Sequence, residues 1–254
     1  MFICFETRFT LSFIMLREKN PPSRFEIWKM FDTISPTYDL VNRVMTFGLD
    51  GLWRKKMAAF LPEKKSLTLL DCATGTADQL LAFMRYSKKI TSATGIDLSQ
   101  EMLQIANKKI KKRGFDSCIS LQEASLLNLP FANSSFDCIS ISFGIRNVMD
   151  VNKALQECFR VLKPQGRLLI LEGTVPHNRL LKAGHRVYLR YLLPFLGGLI
   201  SGQPQAYQYL NDTISSFPCG EKFCAYLRDV GFAAVKATSF TGGAVFIYQG
   251  DRIT

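Results

Sequence analysis

The stretch Leu69-Leu70-Asp71-Cys72-Ala73-Thr74-Gly75-Thr76-Ala77-Asp78 constrains the fold of this chain more than any other. Apolar residues that read as a buried strand run into small residues around Gly75, and Gln79-Leu80-Leu81-Ala82-Phe83 resumes with helical character. A strand, a tight turn and a helix start thus follow one another. A turn without bulky side chains lets a ligand approach the backbone, and the helix start offers unpaired N–H groups. The chain then alternates: helix 78–88, strand 91–97, helix 100–112, strand 118–122, strand 136–143, helix 151–161, a turn over Lys163–Gly166 and strand 167–172. That rhythm predicts an α/β fold with a parallel, doubly wound, Rossmann-like sheet, whose ligands sit at the carboxyl ends of the strands. Helix 220–230 and strands 232–239 and 243–249, joined by Thr241-Gly242-Gly243, form a terminal hairpin that puts one antiparallel strand at the sheet edge.

Charge narrows the ligand. The turn lacks the lysine of a phosphate loop and the G-x-G-x-x-G of a dinucleotide site. Asp71 and Asp78 flank it instead, which repels a pyrophosphate and suits a ligand carrying positive charge. Thr94-Gly95-Ile96-Asp97 ends the next strand with a carboxylate where such sheets bind ribose hydroxyls. S-adenosyl-L-methionine, a nucleoside with a cationic tail, fits both positions, and methyl transfer is the first functional reading. The plain alternative is an ordinary βαβ unit in which Asp78 caps a helix and Asp97 ends a strand.

A chain of 254 residues, 47% hydrophobic, can bury one large core, and its formal charge of +11 favours an anionic partner, nucleic acid or an acidic membrane surface. Scattered basic residues, and Ser142-Phe143-Gly144-Ile145 where a base methyltransferase would carry Asn/Asp-Pro-Pro-Tyr, argue against nucleic acid. Seven cysteines without a C-x-x-C pair read as reduced thiols of a cytosolic protein, and two histidines imply no metal site. Residues 1–16 resemble neither a signal peptide nor a span; 1–23 read as an extension, with Met15 as an alternative start, and 24–254 as a single domain. Within it, 24–57 reads as a helical lid in which Ser35-Pro36 opens a helix and Gly48 closes it. Tyr38, Asn42 and Met45 fall on one face, suited to cover a pocket or to cap the sheet edge. The insertion 175–215 is apolar but broken by Pro194, Gly197 and Gly198. It suits a greasy pocket, a basic membrane face or a cap on the core.

Several longer motifs go further. Phe31-Asp32-x-Ile34-x-Pro36-x-Tyr38-Asp39-x-x-Asn42-x-x-Met45-x-x-Gly48, Ser140 to Asn147, Arg160-Val161-Leu162-Lys163-Pro164, Leu199-Ile200-Ser201-Gly202, Ala206-Tyr207-x-Tyr209-Leu210 and Phe240-Thr241-Gly242-Gly243 together resemble the ubiquinone/menaquinone biosynthesis C-methyltransferase family, from about residue 24 to the end. The resemblance implies a class I methyltransferase sheet. It also implies methyl transfer from S-adenosyl-L-methionine to a ring carbon of a polyprenylated quinol, either demethylmenaquinol or 2-methoxy-6-polyprenyl-1,4-benzoquinol. Mapped by motif, Asp71, Gly75 and Thr76 belong to the methionine end of the cofactor site, Asp97 to the ribose, Ser125 and Leu126 to the adenine side, and Ser142 to the rim beneath the sulfonium. Tyr38, Arg146 and Asn147 are the catalytic candidates. Arg146 would stabilise a phenolate, Tyr38 and Asn147 would orient the hydroxyl or a water, and the alternative for Arg146-Asn147 is a strand-end turn held by a salt bridge. The chain departs from the family at Asp50-Gly51, in place of His-Arg; at Ala77, in place of Gly; at Ser125, in place of Asp or Asn; and at Tyr248, in place of His. These departures keep two rivals open: a methyltransferase of another lipidic or phenolic molecule, and a non-catalytic scaffold that only binds the cofactor. The expected partners are the quinol, an anionic membrane surface touched peripherally from the cytoplasmic side, and a second copy of the chain as a homodimer.

Overall fold

The computed structural model describes residues 27–176 and 178–254; the expected extension 1–23 lies outside them. Seven strands form one sheet in the order β3-β2-β1-β4-β5-β7-β6. They are β1 (Leu67–Cys72), β2 (Ile90–Asp97), β3 (Ile119–Glu123), β4 (Phe136–Ser142), β5 (Leu162–Gly173), β6 (Ala233–Phe240) and β7 (Val245–Asp251). The first five are mutually parallel, as the alternation predicts, because each crossover is too long for a hairpin. The C-terminal hairpin differs from expectation. β7 inserts between β5 and β6, antiparallel to both, so the antiparallel strand is interior and β6 forms the edge. Burial explains the choice: Val245, Phe246, Ile247 and Tyr248 are all buried, whereas β6 alternates with exposed positions that tolerate an edge. The Lys163–Gly166 turn survives as an irregularity inside β5, with Gln165 left-handed at φ 63 and the register to β4 shifted there.

Helices cover both faces. α1 (Ile27–Met45) and α2 (Leu49–Ala58) precede the sheet, and α3 (Asp78–Tyr86), α4 (Gln100–Lys112) and α5 (Val151–Val161) alternate with its strands. α6 (Arg179–Val187), a π-helical turn over Tyr188–Leu192, α7 (Leu193–Ser201) and α8 (Pro204–Ser216) build the insertion, and α9 (Glu221–Val230) precedes β6. One core layer packs Leu155, Cys158 and Phe223 of α5 and α9 against the sheet; the other packs Met57, Leu80, Phe83 and Ile110 of α2, α3 and α4. β4 runs between the two layers with six of its seven residues buried, which is why it reads as an apolar strand rather than an alternating one.

A third cluster lies off the sheet. Ile34, Val41 and Met45 of α1 pack on Leu193, Ala206 and Tyr207 of the insertion. α1 does not begin at Ser35-Pro36: it starts eight residues earlier and runs through Pro36. Pro36 removes one helical hydrogen bond, but both flanks are pinned. Asp32 accepts from the Ser99 hydroxyl, and Asp39 accepts from Thr76 at 2.6 Å and pairs with Lys109 at 2.8 Å. Tertiary anchors therefore outweigh the local break.

Candidate active site

The carboxyl ends of β1, β2 and β4 open into a cavity of about 490 Å³, within the usual range for small-molecule sites. Gly75, Asp97, Ser125, Leu126, Ser142 and Asn147 line it, together with Ile27, Trp28, Phe31 and Tyr38 from α1. Two strand-end turns meet at its floor. A Cβ on Gly144 would lie 2.6 Å from that of Ala73, so only glycine lets them touch. Ala73 and Phe143 both take left-handed conformations there, with φ near 52 and 58. Such values cost non-glycine residues energy and recur at functional sites. Ala77, where glycine is expected, is left-handed as well, at φ 65, and caps α3 without a side-chain hydrogen bond.

Asp97 holds the loop. Its Oδ2 accepts from the Gly75 N–H at 2.8 Å and its Oδ1 from Ser99 N–H at 3.0 Å, leaving further lone pairs toward the cavity. Burial raises its pKa, and these backbone donors, with that of Leu98, offset part of the rise. The buried side chains of Asp71 and Thr76, both expected in the cofactor site, do not line the cavity. Asp71 is turned beneath the loop, where it accepts from Ser140 and from Thr74 at 2.7 Å. Burial lifts its pKa to about 6 despite those two donors. Thr76 faces the Asp39–Lys109–Asp78 cluster that ties α1 and α4 to the start of α3. Burial would raise the pKa of Asp78, but Arg54 and Lys109 outweigh it and the net shift is downward. Both residues support the turn from outside the cavity wall.

A second cavity, about 130 Å³, lies beyond Tyr38 and Phe143, which line both. Its size is close to the ~150 Å³ engineered cavity that takes up a benzene ring. α1 contributes Tyr38, Asn42 and Met45, the face expected from sequence; α2 contributes Asp50, Trp53 and Arg54; and the insertion contributes His185, Tyr188, Leu193, Leu210 and Ile214. Tyr188 fastens the insertion to α1 by donating to the Met45 carbonyl. Burial raises the pKa of Tyr38, against a smaller lowering by Asn42 and Arg54, so the phenol keeps its proton at neutral pH.

Arg146 lines this smaller cavity, and Asn147 the larger one. The Arg146 guanidinium pairs with the fully buried Glu172 and donates to the Phe143 carbonyl at 2.6 Å, so its charge is already neutralised. The strand-end salt bridge considered as the alternative is present. Asn147 keeps a buried Oδ1 without a hydrogen-bond partner.

The departures have local causes. Asp50 is buried and accepts from Arg43 at 2.9 Å and Thr46 at 3.0 Å, and a Cβ on Gly51 would sit 2.8 Å from the Arg43 guanidinium. The Asp50-Gly51 pair is thus one structural unit. Tyr248 is a core residue of β7 whose hydroxyl accepts from the Gly220 N–H at 2.9 Å, and it lines neither cavity. Arg54, Glu172 and His185 were not singled out for the site from sequence. A signal for Arg54 exists: Asp50, Trp53, Arg54 and Met57 form the buried face of α2 at helical spacing, an apolar stripe carrying two charges.

This sheet order, with a ligand-sized cavity over the ends of β1, β2 and β4, defines a class I methyltransferase fold. An S-adenosylmethionine-dependent methyltransferase from Thermotoga maritima has the same fold, with a TM-score of 0.62 at 20% identity over 89% of this chain and 99% of its own. The ubiE/COQ5 methyltransferase family model matches residues 18–252. Two relatives are the ubiquinone/menaquinone biosynthesis C-methyltransferase UbiE of Geotalea uraniireducens, 40% identical over 89% of this chain and 96% of its own, and the demethylmenaquinone methyltransferase of Thermus thermophilus, 41% identical over 88% and 100%. The chain belongs to the ubiE/COQ5 methyltransferase family, and it is a methyltransferase.

Proposed function

We propose that the chain methylates a ring carbon of a polyprenylated quinol, with S-adenosyl-L-methionine in the larger cavity and the ring in the smaller one. The observation that carries this reading is the shared wall: Tyr38 and Phe143 line both cavities, so a donor in one and an acceptor ring in the other meet there. The larger cavity suits the cofactor because Gly75 leaves open space above the turn, Asp97 can accept from ribose hydroxyls, and Asn147 offers an orphaned acceptor. In this assignment Ser125 and Leu126 border the adenine and Ser142, held by Gln79 at 3.2 Å, the sulfonium rim. The cofactor supplies a methyl on a positively charged sulfur, already an excellent leaving group. The protein's task is then alignment, which can supply about 7–11 kcal/mol, and support of negative charge on the ring oxygen. Tyr38, protonated, donates to that oxygen.

The relatives' names, which point to ubiquinone/menaquinone biosynthesis and to demethylmenaquinone, fit the demethylmenaquinol or methoxy-benzoquinol acceptor that the motifs imply. Expression in a host lacking its own enzyme of this type, with mass analysis of extracted quinones, tests this: one added methyl on either ring is expected. Unchanged quinones alongside intact cofactor binding would overturn it.

The exposed surface supports a membrane-borne substrate. Val187, Tyr191, Phe195 and Leu199, four residues apart, are 60%, 52%, 61% and 74% exposed. Residues 173–211 contain no acidic residue, and Arg190 sits over the Tyr191 ring. No helix among the described residues is long and apolar enough to cross a membrane. A basic apolar stripe beside the ring cavity suits peripheral contact with anionic lipid. Flotation should show the chain on anionic vesicles and its loss in a Phe195→Glu/Leu199→Glu variant; equal flotation of both removes the stripe from membrane contact.

A further inference from the structure

We propose that Arg54 is the oxyanion-binding residue of the smaller cavity and His185 its proton acceptor, an assignment that rests on the reading of that cavity as the acceptor site. Among the described residues, three cationic groups bear on this region. Arg146 is committed to Glu172, and Arg43 is 53% exposed and committed to Asp50. Arg54 is 8% exposed and lines the cavity, its buried Nε has no hydrogen-bond partner, and it forms no ion pair among the described residues. Its guanidinium carbon instead lies 5.4 Å from the Phe143 ring, the wall common to both cavities. The backbone is fixed too, since Gln79 donates to the Arg54 carbonyl at 3.4 Å while accepting from Ser142. The carboxylates that feel the Arg54 charge, Asp78 and Asp71, are not in ion-pair contact with it, and a buried guanidinium with no anion in direct contact is stabilised by a ligand that brings negative charge. A guanidinium has donors and no acceptor, so it can hold an oxyanion but cannot take the proton that creates it.

His185 supplies that second function. It lines the same cavity from α6, its ring stacks beside Tyr188 with centroids 6.3 Å apart, and its buried Nδ1 is unpartnered. Burial lowers its pKa, so the imidazole is neutral near neutral pH and open to a proton. The ring hydroxyl proton passes to His185, and the oxygen's electron pair is delocalised to the adjacent ring carbon. That carbon forms the new C–C bond as the methyl–sulfur bond breaks, its pair staying on sulfur, which becomes a neutral thioether. The ring C–H proton then leaves to water and the ring is aromatic again. The proton held by His185 returns to the ring oxygen, so one proton is released per turnover.

The test separates the two roles with 4-nitrophenolate, a coloured single-ring anion, as the probe. Wild type should bind it; Arg54→Met should weaken that binding about 10- to 100-fold, with Arg54→Lys in between and S-adenosyl-L-methionine affinity within about twofold, which also reports correct folding. His185→Gln should leave probe affinity unchanged and lower kcat at least about 100-fold, within the usual range for losing a general base. Equal probe binding by wild type and Arg54→Met overturns the assignment of Arg54 alone. An undiminished kcat in His185→Gln overturns that of His185. Failure of the wild type to bind any probe overturns both assignments and the acceptor cavity with them, while quinone methylation in the complemented host would still stand.

Discussion

The two cavities meet at Tyr38 and Phe143 but are built on different principles. The larger is a backbone site: strand ends, two touching turns and left-handed residues shape it, and its loop is held by Asp97 through main-chain N–H groups. The smaller is a side-chain site, assembled from α1, α2, β5, β7 and the insertion, and held by pairs distant in sequence such as Arg146 with Glu172 and Trp53 with Thr241 at 2.9 Å. Backbone geometry can be shared by any chain with this fold. Side-chain contacts depend on which residues meet, as where Asp50 accepts from Arg43 and Gly51 leaves room for the same guanidinium.

The sharpest way to break that contrast is to remove one partner of the buried pair. Glu172→Gln leaves the Arg146 guanidinium buried and unpaired and should cost about 3–5 kcal/mol by denaturant unfolding, with much of it restored when Arg146→Met is added. An unchanged midpoint would mean that the smaller cavity does not depend on its side-chain pairs. Next in size, Asp97→Ala should weaken S-adenosyl-L-methionine binding by about 1.5–3 kcal/mol in calorimetry, since it removes a charged acceptor. Undiminished affinity would take Asp97 out of the cofactor site.

Asp71 sharpens the backbone side. Its native pKa near 6 exceeds the unfolded value of 3.8, so the folded state binds the proton more tightly and stability falls as pH rises through that interval. Between about pH 5 and about pH 7.5 the loss should be about 1–1.5 kcal/mol, and Asp71→Asn should abolish that part of the dependence. An identical pH profile in the variant would show the carboxyl to be ionised throughout. The smallest effect belongs to Ala77→Gly. Relief of its left-handed strain, less the entropy of glycine and the lost methyl contacts, should raise stability by no more than about 1 kcal/mol. A clear loss would mean that the buried methyl outweighs the strain.

How far this was legible follows from the same contrast. Gly75 and Asp97 could be placed on one cavity because each lies at or just past a strand end, and strand ends in a parallel sheet are brought together by topology; Ser125, Leu126 and Ser142, assigned through the family motifs, line the same cavity. Asp71 lies in β1 just before the turn and Thr76 within the turn, yet neither side chain lines the cavity: strand alternation sets the one direction and the φ and ψ of a tight turn the other, and residue type reveals neither. Tyr38, Asn42 and Met45 shared a face as helical periodicity requires, although Pro36 concealed the first turns of their helix.

The sequence by itself determined the alternation of strands and helices, the strand-end cradle and the chemistry of its turn, because these follow from local periodicity and small residues. Tertiary structure decided the position of β7 inside the sheet, the neutralisation of Arg146 by Glu172, and the placing of Arg54 and His185 around one cavity. Each brings together residues tens to more than a hundred positions apart. Packing, rather than any local preference, selects which of the available partners a buried charge finds.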